Sequence, residues 1–274
     1  MELVRATSVE QLEGGIAVHG GTEVIPLLRD GILQGDRLVD VRAIVPRGVD
    51  GGRIGAGTTL ADLEADPNVP AALREACRLA ASPQLRSMSS VGGNLLQSTR
   101  CWYWRLKYPC RLHGGDRCHA REGEHREHAI FANDFCASAH PSDIAAALLA
   151  LGTRLRTSLR ELPLGELYRL PDERNRATTT LGPGELILEL QLPPVDASVY
   201  LKAMDRRRWA FPLVGVAAAR AAGGGTRIAL AGVAPVPWLL DGPEALDRAA
   251  PLPRTAWKVD VARALVRRAV ECVS

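Results

Sequence analysis

The chain has 274 residues, 46% of them hydrophobic, enough to bury a sizeable core in one large domain or two to three small ones. Its formal charge of +3 is spread as interspersed Arg and Glu/Asp, without the basic stripe that a phosphate backbone requires, which argues against nucleic acid as a partner. No stretch reaches the roughly twenty apolar residues of a membrane span, and Met1 leads into Glu2 without a basic-then-apolar leader, so the expected location is the cytoplasm.

Taken in chain order, the elements fall into three parts. Residues 1–50 read as a small α/β lobe: a strand over Ile16–Val18, a turn over His19–Thr22, a helix over Glu23–Arg29 and a strand over Arg37–Val41. Residues 51–175 open at GGRIGAGTTLADLEAD, where Thr58 or Thr59 caps a short helix, and run through a helix over Pro70–Ala81 to another after Ser142. An aromatic- and histidine-rich window at residues 100–137 interrupts this second part. A polar linker, Pro171–Thr180, leads to residues 176–274. There strands are expected at Glu185–Leu192, Val199–Met204, Leu213–Ala222 and Arg227–Val233, with a hairpin at Gly223–Gly225 and helices after it. This third part reads as an antiparallel sheet covered by helices.

Two glycine pairs suggest phosphate chemistry. In AVHGGTEVIPLL, Gly20 and Gly21 follow a strand and precede a helix that tolerates Pro26 in its first turn. Backbone N–H groups and the helix N-terminus then converge on one point suited to an anion, although an ordinary tight turn has the same appearance. In SMSSVGGNLLQST, a second glycine turn (Gly92, Gly93) is flanked by Ser90, Asn94 and Thr99, whose side chains suit phosphate or ribose oxygens. Two such turns from separate lobes fit a pyrophosphate between them. Neither follows G-x-G-x-x-G or the Walker A pattern, which disfavours a Rossmann or P-loop fold.

Four of the six cysteines, Cys101, Cys110, Cys118 and Cys136, lie in the window, separated by eight, seven and seventeen residues. A reducing compartment favours thiolate ligands over disulfides. The spacing lacks both the C-x2-C knuckles of zinc ribbons and the compact ferredoxin run, so iron–sulfur and structural zinc are equally open on the residues alone. The nearby His113, His119, His125, His128 and His140 read as surface or supporting groups, because four cysteines already complete a ligand set. Trp102, Tyr103, Trp104, Tyr108, Phe131 and Phe135 would shield a metal group and form a small satellite core. Cys77 and Cys272, in amphipathic helical stretches, read as small buried hydrophobes.

The ordered segments AVHGGTEVIPLL, IGAGTTLADLE, SPQLRSMSSVGGNLLQSTRC, HPSDIAAALLALG, LGPGELILELQLP and YLKAMDRRRWAFPLVGVAAA resemble the FAD-binding medium subunits of molybdenum hydroxylases. These are the flavoprotein components of the xanthine, carbon monoxide and aldehyde dehydrogenase type. The resemblance spans about residues 3–272. It implies an α+β chain, with a two-lobed FAD-binding fold of the vanillyl-alcohol-oxidase (PCMH) type and a C-terminal antiparallel sheet with helices. The cysteine window resembles the insert of periplasmic aldehyde oxidoreductase and 4-hydroxybenzoyl-CoA reductase flavin subunits, which implies a [4Fe-4S] cluster on Cys101, Cys110, Cys118 and Cys136.

Carried over by position, the resemblance implies that His19, Gly20, Gly21, Thr22, Glu23 and Val24 wrap the FAD pyrophosphate from the first lobe. Ser90, Val91, Gly92, Gly93, Asn94 and Thr99 would close on it from the second. Asp143 matches a position near the ribose and adenine, its alternative being a residue favoured by the helix dipole. Lys202 matches a lysine near the flavin, where a cation would stabilise the anionic reduced form, its alternative being a solvated strand lysine. The sequence departs from the family in Glu23, usually Asp, in Ser90-Val91, usually Thr-Ile, and in a short segment between Trp238 and Trp257.

The implied function is electron transfer within a heteromeric enzyme. Electrons would come from [2Fe-2S] clusters of a small partner subunit, after oxidation of an aldehyde or N-heterocycle at a molybdopterin in a large one, and pass through FAD to an external acceptor. No residue of this chain is expected to act as acid or base on the substrate. A stand-alone flavin oxidoreductase with structural zinc and a non-catalytic zinc-stabilised scaffold are the rival readings. Export to the periplasm would require a signal on a partner subunit.

Overall fold

The computed structural model describes residues 1–205 and 209–274, so Arg206–Arg208 of the YLKAMDRRRWAF segment lie outside the described residues. The first lobe is a parallel three-stranded sheet of β1 (Glu2–Arg5), β2 (Ile16–Val18) and β3 (Arg37–Asp40), with β3 in the centre and helix α1 (Val24–Arg29) connecting β2 to β3. The βαβ unit is therefore as expected. Strand β1 adds an edge in which Leu3 remains exposed, so its alternation carries little burial signal.

The second lobe begins with the hairpin β4 (Val49–Asp50) and β5 (Arg53–Gly55). Helix α2 (Leu60–Ala65) starts at a capping box: Thr59 Oγ1 accepts from Asp62 N at 3.1 Å, and Asp62 Oδ2 accepts from Thr59 N at 3.2 Å. Helices α3 (Ala71–Leu79), α4 (Pro83–Met88) and α5 (Val91–Leu95) follow. The cysteine window contains two short α-helices, α6 (Trp102–Arg105) and α7 (His119–Glu122), and one turn of 3-10 helix over Arg111–His113. Helix α8 (Asp143–Ala150) is buried along its whole length. Its sequence DIAAALLA permits this, because alanines let neighbours approach on every side.

The hairpin β6 (Arg154–Thr157) and β7 (Glu161–Pro163), helix α9 (Leu164–Leu167) and strand β8 (Ile187–Gln191) complete the second lobe as a five-stranded sheet of order β4-β5-β8-β6-β7. Here the structure departs from expectation. The strand assigned to the third part pairs with β5 and β6, so the second lobe extends past the irregular 171–180 segment. The alternating Leu188/Leu190 pattern suits either sheet and does not specify a partner.

The third sheet is antiparallel, in the order β12-β11-β10-β9, formed by β9 (Val195–Asp205), β10 (Trp209–Ala221), β11 (Thr226–Ala231) and β12 (Trp238–Leu240). Val214, Val216, Ile228 and Leu230 face one core with Val266 and Ala269 of α10 (Trp257–Val273). Ala217, Ala219, Ala229 and Ala231 face the other, against α8 and α3. Burial on both faces explains the continuous apolar run VGVAAA. On α10 the buried stripe is Ala262, Val266, Ala269 and Val273, which leaves Cys272 exposed, contrary to expectation; Cys77 is buried as expected.

Candidate functional site

The two lobes meet at the first glycine pair. A Cβ on Gly20 would lie 1.8 Å from the Met88 carbonyl oxygen, so only glycine lets the first-lobe loop reach the end of α4. Gly21 has φ +69°, a left-handed backbone that glycine adopts without strain. Ser89 Oγ donates to Thr22 Oγ1 at 3.0 Å and closes the junction. Among the described residues, the backbone N–H groups of Gly20, Gly21, Thr22, Glu23 and Val24 meet no protein acceptor. Pro26 supplies no N–H of its own in the first turn of α1. These successive unfilled donors form a concave anion cradle.

The second glycine pair, with Ser90, lines the same cleft but offers it fewer free amides. It lies within α5 rather than in a turn, and its amides are engaged internally: Val91 N donates to Thr58 O, Gly92 N to Ala56 O, both at 2.9 Å, and Gly93 N to Ser90 Oγ at 3.2 Å. A Cβ on Gly92 would sit 3.0 Å from that of Ala56, so this glycine permits close packing of α5 on the chain after β5. The second lobe thus presents a wall to the cradle instead of a second ring of free donors. Asn94 faces the cleft and accepts from Ser142 Oγ at 2.6 Å, whereas the Thr99 hydroxyl is turned to Cys101 N at 3.1 Å.

A cleft extends both ways from the cradle. One arm, of about 160 Å³, is lined by His19, Gly20–Val24 and the apolar Val41, Val45, Leu186 and Ile187. The other, of about 90 Å³, is lined by Asn94, Gln97, Arg100, Pro141, Asp143 and Phe211. Thr22, Glu23 and Gly93 belong to both. His19 Nδ1 is buried in the first arm without a partner. Burial, reinforced by the Arg42 guanidinium, holds its imidazole below the usual histidine range. An anion cradle shared by two adjoining pockets is suited to a phosphate group with flanking substituents.

Glu23 acts through two arginines. Its carboxylate pairs with Arg100 Nη1 and Arg105 Nη2, each at 2.7 Å, and accepts from Ser98 N at 3.1 Å. The negative charge beside the cradle is therefore neutralised, and the loop is tied to the start of the cysteine window. Sequence reasoning missed both arginines, because Arg105 stands 82 positions from Glu23 and no local motif links them. Phe211, with the Arg100 guanidinium 4.8 Å from its ring centroid, was missed as well.

Asp143 and Lys202 do not mark opposite ends of a cofactor. Lys202 Nζ is 2.9 Å from Asp143 Oδ2, and neither side chain is more than 3% exposed, which removes the solvated-lysine alternative. The Lys202 ammonium also donates to Leu79 O at 3.0 Å and Ala210 O at 2.8 Å, so its three donors are engaged within the protein. Asp143 accepts a short hydrogen bond from Tyr200 Oη at its other oxygen. Burial raises the Asp143 pKa against the pull of Lys202. The group is a buried clasp beneath the cleft.

In the window, Cys110 and Cys136 are buried and Cys101 and Cys118 half-buried. Among the described residues, no three His, Cys, Asp or Glu side chains converge tightly enough to hold a single metal ion. The thiols are nonetheless neighbours: Cys101 feels the charges of Cys136 and Cys118, and Cys136 those of Cys118 and Cys110. Burial pushes Cys101 up to about 12 and Cys136 to about 11, so an electropositive partner is needed to hold them as thiolates. The histidines are largely engaged elsewhere. His113 Nε2 meets Trp104 O at 2.8 Å, and His125 accepts from Arg254 N at 3.2 Å; His128 Nε2 lies 3.2 Å from Cys101 Sγ.

The window packs as a satellite around Ala120, Ala137 and Leu252, with Tyr103 and Cys118 against it. Phe131 leaves the group of shielding aromatics and stacks on Trp238 in the C-terminal core at 5.3 Å. A fully buried lysine unseen in the sequence, Lys258 of α10, donates to Glu127 O at 3.0 Å, His128 O at 2.8 Å and Gly232 O at 2.5 Å. It pins the window to the third sheet.

Fold and cleft together define a chain whose first two lobes meet at an anion cradle. Over residues 4–195 the chain matches the family described as FAD binding domain in molybdopterin dehydrogenase, and it belongs to that family, as an FAD-binding subunit of a molybdenum hydroxylase-type oxidoreductase. It is 35% identical over 261 residues to the aldehyde oxidoreductase FAD-binding subunit PaoB of Escherichia coli (strain K12), covering 88% of this chain and 81% of that one. Its fold is similar to that of a carbon monoxide dehydrogenase chain from Hydrogenophaga pseudoflava, an enzyme form lacking the Mo-pyranopterin moiety. That match has TM-score 0.69 and 21% identity and covers 100% of this chain and 96% of that one. A quinoline 2-oxidoreductase chain from Pseudomonas putida 86 matches with TM-score 0.65 and 16% identity, over 100% and 96% of the two chains. The expected α+β architecture, two FAD-binding lobes followed by an antiparallel sheet, is thereby borne out.

Proposed function

We propose that the chain is the electron-transfer subunit of a heteromeric molybdenum hydroxylase. It would hold FAD in the interlobe cleft and a [4Fe-4S] cluster on Cys101, Cys110, Cys118 and Cys136, with a large molybdopterin-binding and a small [2Fe-2S] partner. The observation that carries the reading is the adjacency of its two sites: Arg100 lines the cleft and immediately precedes Cys101, and a small cavity bounded by both residues lies between. Bound FAD supplies the exchange between one-electron and two-electron chemistry.

The chain's own part is positional. The Gly20–Val24 amides receive the pyrophosphate, Arg100 and Arg105 more than offset the charge of Glu23 and leave the wall net positive, and Phe211 and Pro141 narrow the polar arm. Four cysteines in one window, each influencing the ionisation of its neighbours, can give one thiolate to each iron of a cluster. Likeness to an aldehyde oxidoreductase subunit supports an aldehyde as the substrate of the assembled enzyme.

The test is anaerobic purification of the chain with its partners, followed by flavin, iron and zinc quantification. Flavin with iron beyond that of the partner's [2Fe-2S] clusters is expected; flavin with zinc and no excess iron would reduce the window to a structural staple. Cys118→Ser is expected to remove the excess iron and leave FAD largely bound. Gly20→Ala, by contrast, forces its methyl into the Met88 carbonyl and is expected to lose FAD while iron stays. Loss of both cofactors in either variant would count against separate sites.

A further inference from the structure

Among the described residues, His128 is the histidine whose ring nitrogen meets a cysteine sulfur, Nε2 standing 3.2 Å from Cys101 Sγ. The ring is buried and held edge-on against Trp102, centroids 5.0 Å apart. Lys258 fixes its backbone by donating to the His128 carbonyl at 2.8 Å. The other nitrogen, Nδ1, is buried without a partner. A neutral imidazole has one N–H to place. On Nδ1 that proton would be an unmet buried donor, and a lone pair on Nε2 would face the sulfur. On Nε2 it points at the sulfur and leaves only a bare acceptor behind, the less costly arrangement.

Resting on the cluster reading above, we propose that His128 is a positioning residue that donates an N–H···S hydrogen bond from Nε2 to the Cys101 thiolate and thereby raises the reduction potential of the cluster. The sign follows from charge. Uptake of one electron makes the thiolate sulfurs more negative, so a fixed donor stabilises the reduced form more than the oxidised one. The location gives the effect a purpose, since Cys101 is the cysteine that shares a cavity with the cleft residues Arg100, Pro141 and Phe211.

The experiment is a mediated redox titration of the whole partner complex, following the cluster by electron paramagnetic resonance and the flavin by absorption. His128→Phe keeps an aromatic face toward Trp102 and removes the donor; His128→Gln retains an N–H. For His128→Phe the reduced-to-oxidised ratio at a fixed potential should fall about tenfold, equal to about 59 mV for a one-electron couple, with iron content and flavin midpoint unchanged. His128→Gln should recover part of the shift. An unchanged cluster potential in His128→Phe with iron intact overturns the proposal alone. Absence of excess iron in the unmodified complex overturns the cluster reading and this proposal with it. Should the variants fail to assemble, 15N-histidine labelling of the unmodified complex decides the matter. A weak nitrogen coupling to the reduced cluster is expected, and either the strong coupling of a directly bound imidazole or no coupling overturns it.

Discussion

A carboxylate beside an anion cradle would be an electrostatic liability, and Glu23 shows how one residue is made tolerable there. Two arginines share its charge, leaving the cleft wall net positive while the amides of the same loop stay free. His140 illustrates the opposite strategy, in which burial keeps a titratable ring neutral. Its pKa is pushed down to about 3 by desolvation and the nearby Arg100. A group with a depressed folded pKa contributes stability that is present above the unfolded value, about 6.5, and is lost as pH falls toward the folded one. Unfolding free energy should therefore fall between pH 6.5 and about 3 with a contribution of up to about 1.4 kcal/mol per pH unit from this ring. In His140→Gln, urea midpoints measured across that window should show a shallower acid limb; an unaltered slope would mean that the ring does not take up its proton on unfolding.

At the level of elements, helix α8 is the hinge of the packing. Its first residue, Asp143, clasps Lys202 and Tyr200 of β9, and Lys202 reaches on to the last turn of α3 through Leu79 O. Removing one partner of such a buried pair leaves an uncompensated charge, so Asp143→Leu or Lys202→Met should each cost about 3–5 kcal/mol. The double variant should cost less than the sum by up to about 3 kcal/mol, which denaturant midpoints of the four proteins would reveal; strict additivity would refute the coupling. Much of this layer was legible in the sequence. The βαβ unit, the helix capped at Thr58 or Thr59, the helix after Ser142 and the Gly223–Gly225 hairpin all carry local signals of period, cap or turn. Strand β8 was placed in the wrong sheet because pairing is a long-range choice that its own alternation does not encode. The second glycine pair was misread as a turn because Ser90 serves equally as a helix cap.

Across the whole molecule, the cysteine window joins all three parts. Glu23 ties it to the first lobe, it is spliced into the second, and Lys258 secures it to the third. The site was legible where chemistry is concentrated in short motifs, at the Gly20–Gly21 cradle and the four cysteines. It was not legible where distant residues converge, as Lys258 does on carbonyls of the window. Lys258 has its pKa lowered to about 7 by burial, and Lys258→Met would leave the carbonyls of Glu127, His128 and Gly232 without this donor. A loss of about 2–5 kcal/mol in local stability is expected, read as faster amide exchange over residues 125–133 with little change in the first lobe. Uniform exchange behaviour in variant and parent would show the window to be held by other means.

This clamp also imposes a schedule on the birth of the protein. Lys258 follows His128 by 130 positions, so at ordinary rates of translation that segment is made roughly 6 to 26 seconds before the residue that locks it exists. During that interval the cysteines are exposed to stray metals and oxidants. Any metal group the window takes up would meet a fully clamped loop only once Lys258 has been made.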